Sequence, residues 1–441
     1  MSKRTIIMMA AAFGVIAVVA VAAIIFIVAD PSDVEELIAA EDAPATVEEF
    51  PDGSVRPYQI RPFAGEPILD ATHWLEQFPY QAQSFLKEAS YEPKKDYLVL
   101  YPFLNTIFAG SRFAEAYYSP LPHDYAIENV KTTPRLTSQH PSGCFGCKTP
   151  DYPILEAQDP EALWSRGFWE VNDQMNSVIT CFDCHQNTPG RGQGSGYGYF
   201  DGGFLGSIRS HFGVWYEETR PATAACAQCH NEYYFDQTTM QVSLPPRITD
   251  PTQIFAYYNQ IGHVDHVNPN TGTEQLKVQH PEYQHFVDSI HQAEGMTCVD
   301  CHMVRSTPDG SGGFMTNHAI STPLRNAEIL ESCTSCHLGG AEAVRTLIIQ
   351  TQDSMNTRTN ILGERLAAFH QDFAQAQADN RLSAAQIDEL RALDREATWY
   401  FDWVFSENGD GVHNYVAGLE WVAISNRILD NAERILQVAT R

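Results

Sequence analysis

All ten cysteines of the chain fall into five Cys-x-x-Cys pairs, and nothing else in the sequence restricts its fold so strongly. Cys144 and Cys147 are followed by Lys148, Cys181 and Cys184 by His185, and Cys226 and Cys229 by His230. Cys298 and Cys301 are followed by His302, and Cys333 and Cys336 by His337. A two-residue spacer lets both thiols reach the two vinyl groups of one haem, and the next residue then lies under the iron. Structural zinc sites use such pairs without requiring His or Lys directly after each second cysteine. Thioredoxin-like motifs come singly, on an α/β scaffold that is not visible here. No cysteine is left for a disulfide. The spacing therefore predicts five covalently bound c-type haems.

The first motif differs from the rest. A haem closed by two histidines passes electrons and binds nothing further, whereas Lys148 takes the histidine's place under the first iron. An amine must be neutral to ligate, so the metal has to displace its proton. An iron held so differently is the candidate for an open sixth position, and hence for chemistry. Sixteen histidines, less the four that follow a cysteine pair, leave 12. Closing four haems takes four of these, and spacing alone does not choose them.

The predicted fold class is mainly α, a multihaem cytochrome in which the haems form much of the core and long helices close the C-terminal third. Residues 1–29 read as a signal anchor: Lys3 and Arg4 precede an apolar run of about 25 residues, long enough to span a bilayer. The basic flank puts the rest of the chain on the outer, periplasmic side, where c-type haem is attached. Residues 30–57 are an acidic, Pro-containing tether. Residues 58–441 form the haem-bearing domain. From Tyr58 to His337 short apolar runs are broken by Pro, Gly and Asn, a pattern that cannot build a layered core unless embedded cofactors add apolar surface. The Gly-rich stretch 190–206 lacks a phosphate-loop ending and reads as a connector.

From residue 338 the character changes. A helix is predicted over Ala341–Ala378, broken at Asp379-Asn380. Ser383 with Gln386 forms a capping box for a second helix towards Phe405. The turn Asn408-Gly409-Asp410-Gly411 leads to a last helix from about Val412. Such helices suit packing against another subunit. The formal charge of −27, made more negative by haem propionates, disfavours nucleic acid and anionic lipid as partners. It also repels small anions, so an anion-reducing site needs local positive charge.

One CxxCK motif followed by four CxxCH motifs resembles the pentahaem cytochrome c nitrite reductases, the ammonia-forming family. The likeness extends over roughly Leu98 to Val422. It is carried by Pro122 to Val130 leading to Arg135, by His230-Asn231-Glu232-Tyr233, and by Lys277-Val278-Gln279-His280-Pro281. The resemblance implies six-electron reduction of nitrite to ammonium at the Lys148 haem, fed by four bis-histidine haems. Arg135, Tyr233 and His280 would line its distal side. His123 would pair with His230, His291 with His337, His318 with His185, and His413 with His302. The resemblance also implies one calcium ion held by the Glu232 carboxylate, the Tyr233 and Lys277 carbonyls and the Gln279 amide, all hard oxygen ligands. A homodimer and a quinol-linked membrane multihaem cytochrome as electron donor follow from the same likeness. Asn231 stands where an apolar residue is expected.

Two other readings stay open on sequence. One is a purely electron-carrying multihaem cytochrome; the other is a relative of the same architecture acting on hydroxylamine or sulfite. His73, His140, His211, His263, His266, His285 and His370 receive no role, with His263 and His266 placed in a polar loop.

Overall fold

A computed structural model describes residues 68–87, 94–138, 140–185, 219–245, 248–303, 305–306 and 315–439. The predicted anchor, the acidic tether and the Gly-rich connector lie outside the described residues. No helix among the described residues is long and apolar enough to cross a membrane. The described residues divide into two compact units, 250–262 in one and the remainder in the other. In the first, the helix Pro251–Gln260 starts at Asp250, whose Oδ1 accepts from the amides of Thr252 (2.8 Å) and Gln253 (3.1 Å), with Pro251 as its first residue.

The larger unit is mainly helical, as expected. Its C-terminal part is three long helices: α1 (Ala341–Ala378), α2 (Ala384–Phe405) and α3 (Tyr415–Ala439). Along α1 the buried residues Met355, Thr359, Leu362, Leu366, Phe369, Phe373 and Ala376 recur at spacings of four and three. That is the repeat that keeps one stripe facing a partner helix. On α3, Val422, Ser425, Leu429, Ala432 and Leu436 repeat the pattern. Arg365 of α1 reaches Asp430 (2.6 Å) and Glu433 (2.8 Å) of α3. Gly363 permits close approach, because a Cβ there would meet the Phe103 ring at 2.5 Å. The expected capping box opens α2: Ser383 Oγ accepts from the Gln386 amide and Gln386 Oε1 from the Ser383 amide. The last helix begins at Tyr415, three residues later than the sequence indicates, because the segment before it is committed to a turn around His413.

The motif-bearing part, 94–337, is built from short helices, 3₁₀ turns and three two-stranded antiparallel hairpins: β1 (Tyr234–Phe235) with β2 (Val242–Ser243), β3 (His266–Val267) with β4 (Glu274–Gln275), and β5 (Arg305–Ser306) with β6 (Met315–Thr316). The β3–β4 hairpin is bound to the long helices by polar side chains. Thr271 and Thr273 donate to the Asp394 carboxylate (3.2 and 2.6 Å), which also contacts His370 Nε2 at 2.6 Å, and Arg391 donates to the Thr271 carbonyl at 3.1 Å. His370 and Asp394 are wholly buried, so this is a structural pair. His263 and His266 are also buried, His263 in the loop before β3 and His266 in that strand rather than in a polar loop.

Candidate haem and substrate site

None of the ten cysteines is in a disulfide. Nine are half-buried, Cys229 of the third motif among them, while Cys336 of the fifth is exposed. Each motif is prepared by its own sequence. In the second and fourth, a Thr before the first cysteine and an Asp before the second form a local cap. The Thr180 amide donates to Asp183 (2.8 Å), and the Thr297 amide and hydroxyl donate to Asp300 (2.7 and 2.6 Å). These caps start the one-turn helices Cys181–His185 and Cys298–His302. In the third, Gln228 donates to the Asp183 carbonyl of the second motif at 2.8 Å. Asn231 is buried and its amide donates to the Ala227 carbonyl, satisfying the end of the helix Pro221–Ala227. In the first motif, Phe145 is fully buried and stacks on Phe168 at 4.1 Å. Gly143 is required there, since a Cβ would meet Val242 Cγ2 at 2.6 Å.

The four histidines that follow cysteine pairs each face a second imidazole. Ring centroids are 6.1 Å apart for His185 and His318, 6.3 Å for His230 and His123, 6.2 Å for His337 and His291, and 6.2 Å for His302 and His413. Metal–nitrogen bonds of roughly 2 Å on both sides of one iron put two ring centroids roughly 6 Å apart, so these side chains fit a bis-imidazole ligand set. His280 also lies 6.3 Å from His230. However, Glu282 stands at the Nδ1 edges of both rings, 4.0 Å from His230 and 3.7 Å from His280. Glu282 thus sits between the Nδ1 edges of His230 and His280, and His123 is the other ring that His230 faces.

Burial pushes His185 down to about 4, helped by His318, so it is neutral near pH 7, the form that binds metal. The His230 side chain is 48% exposed, and its pKa is lowered in spite of Glu282. His413 goes the other way: burial would depress it, but the charge and hydrogen bond of Glu407 raise it to about 9. Neighbouring motifs also approach one another. Cys184 and Cys298 are both felt at Cys226, Cys333 at Cys301, and Lys148 at His230, so the five motifs form one contiguous array.

Around the first motif the site is different. The Lys148 side chain is half-buried and lies within electrostatic reach of Cys144 and of His230. Arg135 and Tyr233 lie within electrostatic reach of each other and of Cys144. Tyr233 packs with Cys147 on a core of Ala224, Ala227, Val242, Leu244 and Tyr283. Burial, with the neighbouring thiols and Glu232, holds the Tyr233 phenol well above its ordinary range, so it keeps its proton. Arg135 is held in place by the Ala116 carbonyl (3.1 Å) and by the face of Phe113, 4.3 Å from its guanidinium carbon. Burial lowers Arg135, but a guanidinium stays charged at any physiological pH.

Sequence reasoning missed Glu282. Burial would raise its pKa, but the neighbouring His280 and His230 hold it below the usual carboxylate range. It is an anion shared between a haem-motif histidine and His280. Its position two residues after His280 is the signal that could have found it.

The four expected calcium-binding residues are contiguous. The buried Glu232 accepts from the Gln279 amide N–H at 2.7 Å, and the Gln279 side-chain amide contacts the Lys277 carbonyl at 3.0 Å. Among the described residues no three His, Cys, Asp or Glu side chains converge as metal ligands. The set here has one carboxylate and is otherwise carbonyl and amide, a donor chemistry that fits a hard cation. The Lys277 side chain is turned away and buried, donating to both oxygens of Asp402 (2.9 and 3.0 Å) and to Ser406 (2.8 Å). Burial works against its charge, but Asp402 outweighs it and keeps the ammonium ionised.

A sequence profile of the cytochrome c552 family matches residues 70–440. The chain is 27% identical over 384 residues to cytochrome c-552 of Maridesulfovibrio salexigens, covering 82% of this chain and 75% of that one. Its fold is similar to that of the catalytic subunit of cytochrome c nitrite reductase from Desulfovibrio desulfuricans, a structure described for its two calcium sites. The TM-score is 0.75 at 24% identity, over 86% of this chain and 88% of that chain. The chain belongs to the cytochrome c552 family.

Proposed function

We propose that this member of the cytochrome c552 family reduces nitrite to ammonium, at a haem carried by Cys144, Cys147 and Lys148. One observation carries the reading. The single motif that ends in lysine is the one within electrostatic reach of both Arg135 and Tyr233, while the four histidine motifs each face a second imidazole. When bound, the Lys148 haem supplies electrons and an open iron position, and the other four haems supply the array that feeds it. The similarity to a nitrite reductase fold and to a cytochrome c-552 supports the same reading.

The chain's own residues have distinct tasks. Arg135 offers a fixed, cationic pair of donors that draws an anion into a protein of net charge −27 and orients its oxygens. His280, backed by the Glu282 anion, is the proton donor to a departing oxygen. Tyr233, whose phenol is held protonated before reaction, is a hydrogen donor to the bound nitrogen. Glu232, Gln279 and the Tyr233 and Lys277 carbonyls hold one calcium ion that fixes the two loops bearing Tyr233 and His280. We place the protein on the periplasmic side of the cytoplasmic membrane, anchored through residues 1–29 and taking electrons from a quinol-linked cytochrome. The three long helices serve as the contact of a homodimer.

The test is turnover of the haem-loaded protein with a reduced viologen donor. One ammonium formed per nitrite consumed, without accumulating nitric oxide, is expected. Viologen oxidation that depends on hydroxylamine or sulfite but not on nitrite would change the substrate, and no turnover of any of them would make the protein an electron carrier.

A further inference from the structure

Glu407 is fully buried and immediately precedes the turn Asn408-Gly409-Asp410-Gly411. Its Oε1 accepts from His413 Nδ1 at 2.5 Å and from the Gly409 amide at 2.6 Å, and its Oε2 accepts from the Gly411 amide at 3.0 Å. Gly411 has φ 87°, in the left-handed region that favours glycine. Gly409 has no room for a side chain: a Cβ would lie 2.8 Å from His413 Nδ1 and would collide with Glu407 Oε1. The turn is therefore shaped around this carboxylate–imidazole contact.

His302, which faces His413, has its Nδ1 2.9 Å from the Ser321 carbonyl. Both rings of this pair thus have Nδ1 engaged, one by a carbonyl and one by a carboxylate, leaving Nε2 for a metal. The other pairs are built differently. Neither His291 nor His337 has a side-chain hydrogen bond among the described residues, and the buried Nδ1 of His185 likewise has none. His318 Nδ1 faces the neutral Thr316 carbonyl at 2.9 Å, and the nearest Glu282 oxygen to His230 Nδ1 is 4.0 Å away.

We infer that Glu407 is a positioning residue that acts through His413 to make the His302/His413 haem more strongly reducing than the neighbouring His291/His337 haem. The inference rests on the five-haem reading above. A carboxylate that accepts the Nδ1 proton orients the imidazole and raises its basicity at Nε2, and a more basic axial ligand favours the oxidised iron. Charge-assisted contacts of this kind are shorter and stronger than contacts to a neutral carbonyl. His413 and His291 lie within electrostatic reach of each other, so the two haems compared are adjacent.

The experiment is a spectroelectrochemical redox titration of the five-haem holoprotein and its Glu407→Gln variant, which keeps the size of the side chain and removes its charge. The expected result is a rise in one haem's midpoint, with the ratio of reduced to oxidised haem at fixed potential increasing at least tenfold, about 59 mV for one electron. The other midpoints should stay in place. A change below about twofold would overturn the inference. His413→Met and His291→Met give a second arm that does not depend on folding of the Glu407 variant, since a Met ligand raises a haem's potential. The transition displaced by His413→Met must be the lower of the two in the unaltered protein, and the reverse order would overturn the inference. A preparation without low-spin bis-histidine haem signals would sink the five-haem reading itself, visibly in the wild-type spectrum before any variant is made.

Discussion

The three C-terminal helices and the motif-bearing stretch before them solve the same problem in opposite ways. In α1 and α3 apolar side chains recur at four and three residues and supply each other's burial. In 94–337, apart from Pro251–Gln260, no described helix is longer than seven residues, and order comes from caps, buried carboxylates and two-residue strands. A segment with a self-complementary stripe can be ordered by its own side chains. A segment of one-turn helices cannot, and needs embedded groups that add apolar surface and fix ligand positions.

The largest effect that could break this comparison comes from expressing the chain without haem attachment. Limited proteolysis should then cut freely within 94–337 while 341–439 persists as a helical fragment by circular dichroism. Equal loss in both would show that the helices do not stand on their own stripe. Next is Leu366→Ala in the fully buried stripe of α1. It should cost roughly 2–5 kcal/mol in denaturant unfolding while the haem spectrum of the folded protein stays unchanged. Arg135→Gln should do the reverse, leaving stability nearly intact and lowering kcat/KM for nitrite about 10²-fold, or about 3 kcal/mol.

The smallest expected effect lies at the seam of the two regions. Asp410 is raised to about 6, first by burial and then by the nearby charge of Glu407, with a hydrogen bond to Asn356 in partial opposition. A carboxyl group whose folded value lies above its unfolded one binds more protons when folded. Its ionisation therefore adds no penalty below pH 3.8 and removes stability as pH rises through about 6. Asp410→Asn, at a φ of 52° that Asn tolerates, should stabilise by about 1–2 kcal/mol at pH 8. The gain should vanish near pH 4, and a gain independent of pH would rule out ionisation as its cause.

The same contrast governs what can be read from residues alone. Periodicity and a capping box place α1 and α2 closely, because those signals are local. The start of α3 is displaced because Glu407 and His413 hold the turn before it. The β1–β2, β3–β4 and β5–β6 hairpins are too short to leave an alternating pattern, and β3 buries His266 in what reads as a polar loop. At the site, the cysteine spacing carries the haem positions, while Arg135, Tyr233 and His280 become legible only through family resemblance. Glu282, Asp402 and Glu407 escape a reading of residues because their roles depend on partners that only the fold brings near. His285, for example, stacks on Trp403 and meets Trp421 edge-on, both on helices more than a hundred residues away.

The central claim is that one iron, held by Lys148, is open while the other four are closed. The direct measurement is a titration of the oxidised five-haem protein with cyanide or nitrite, followed in the high-spin absorption and electron paramagnetic resonance signals. One haem in five should respond, with saturation at one ligand per chain, and the response should weaken in Arg135→Gln. Five six-coordinate, low-spin haems that ignore both ligands would contradict the account and leave an electron carrier in its place.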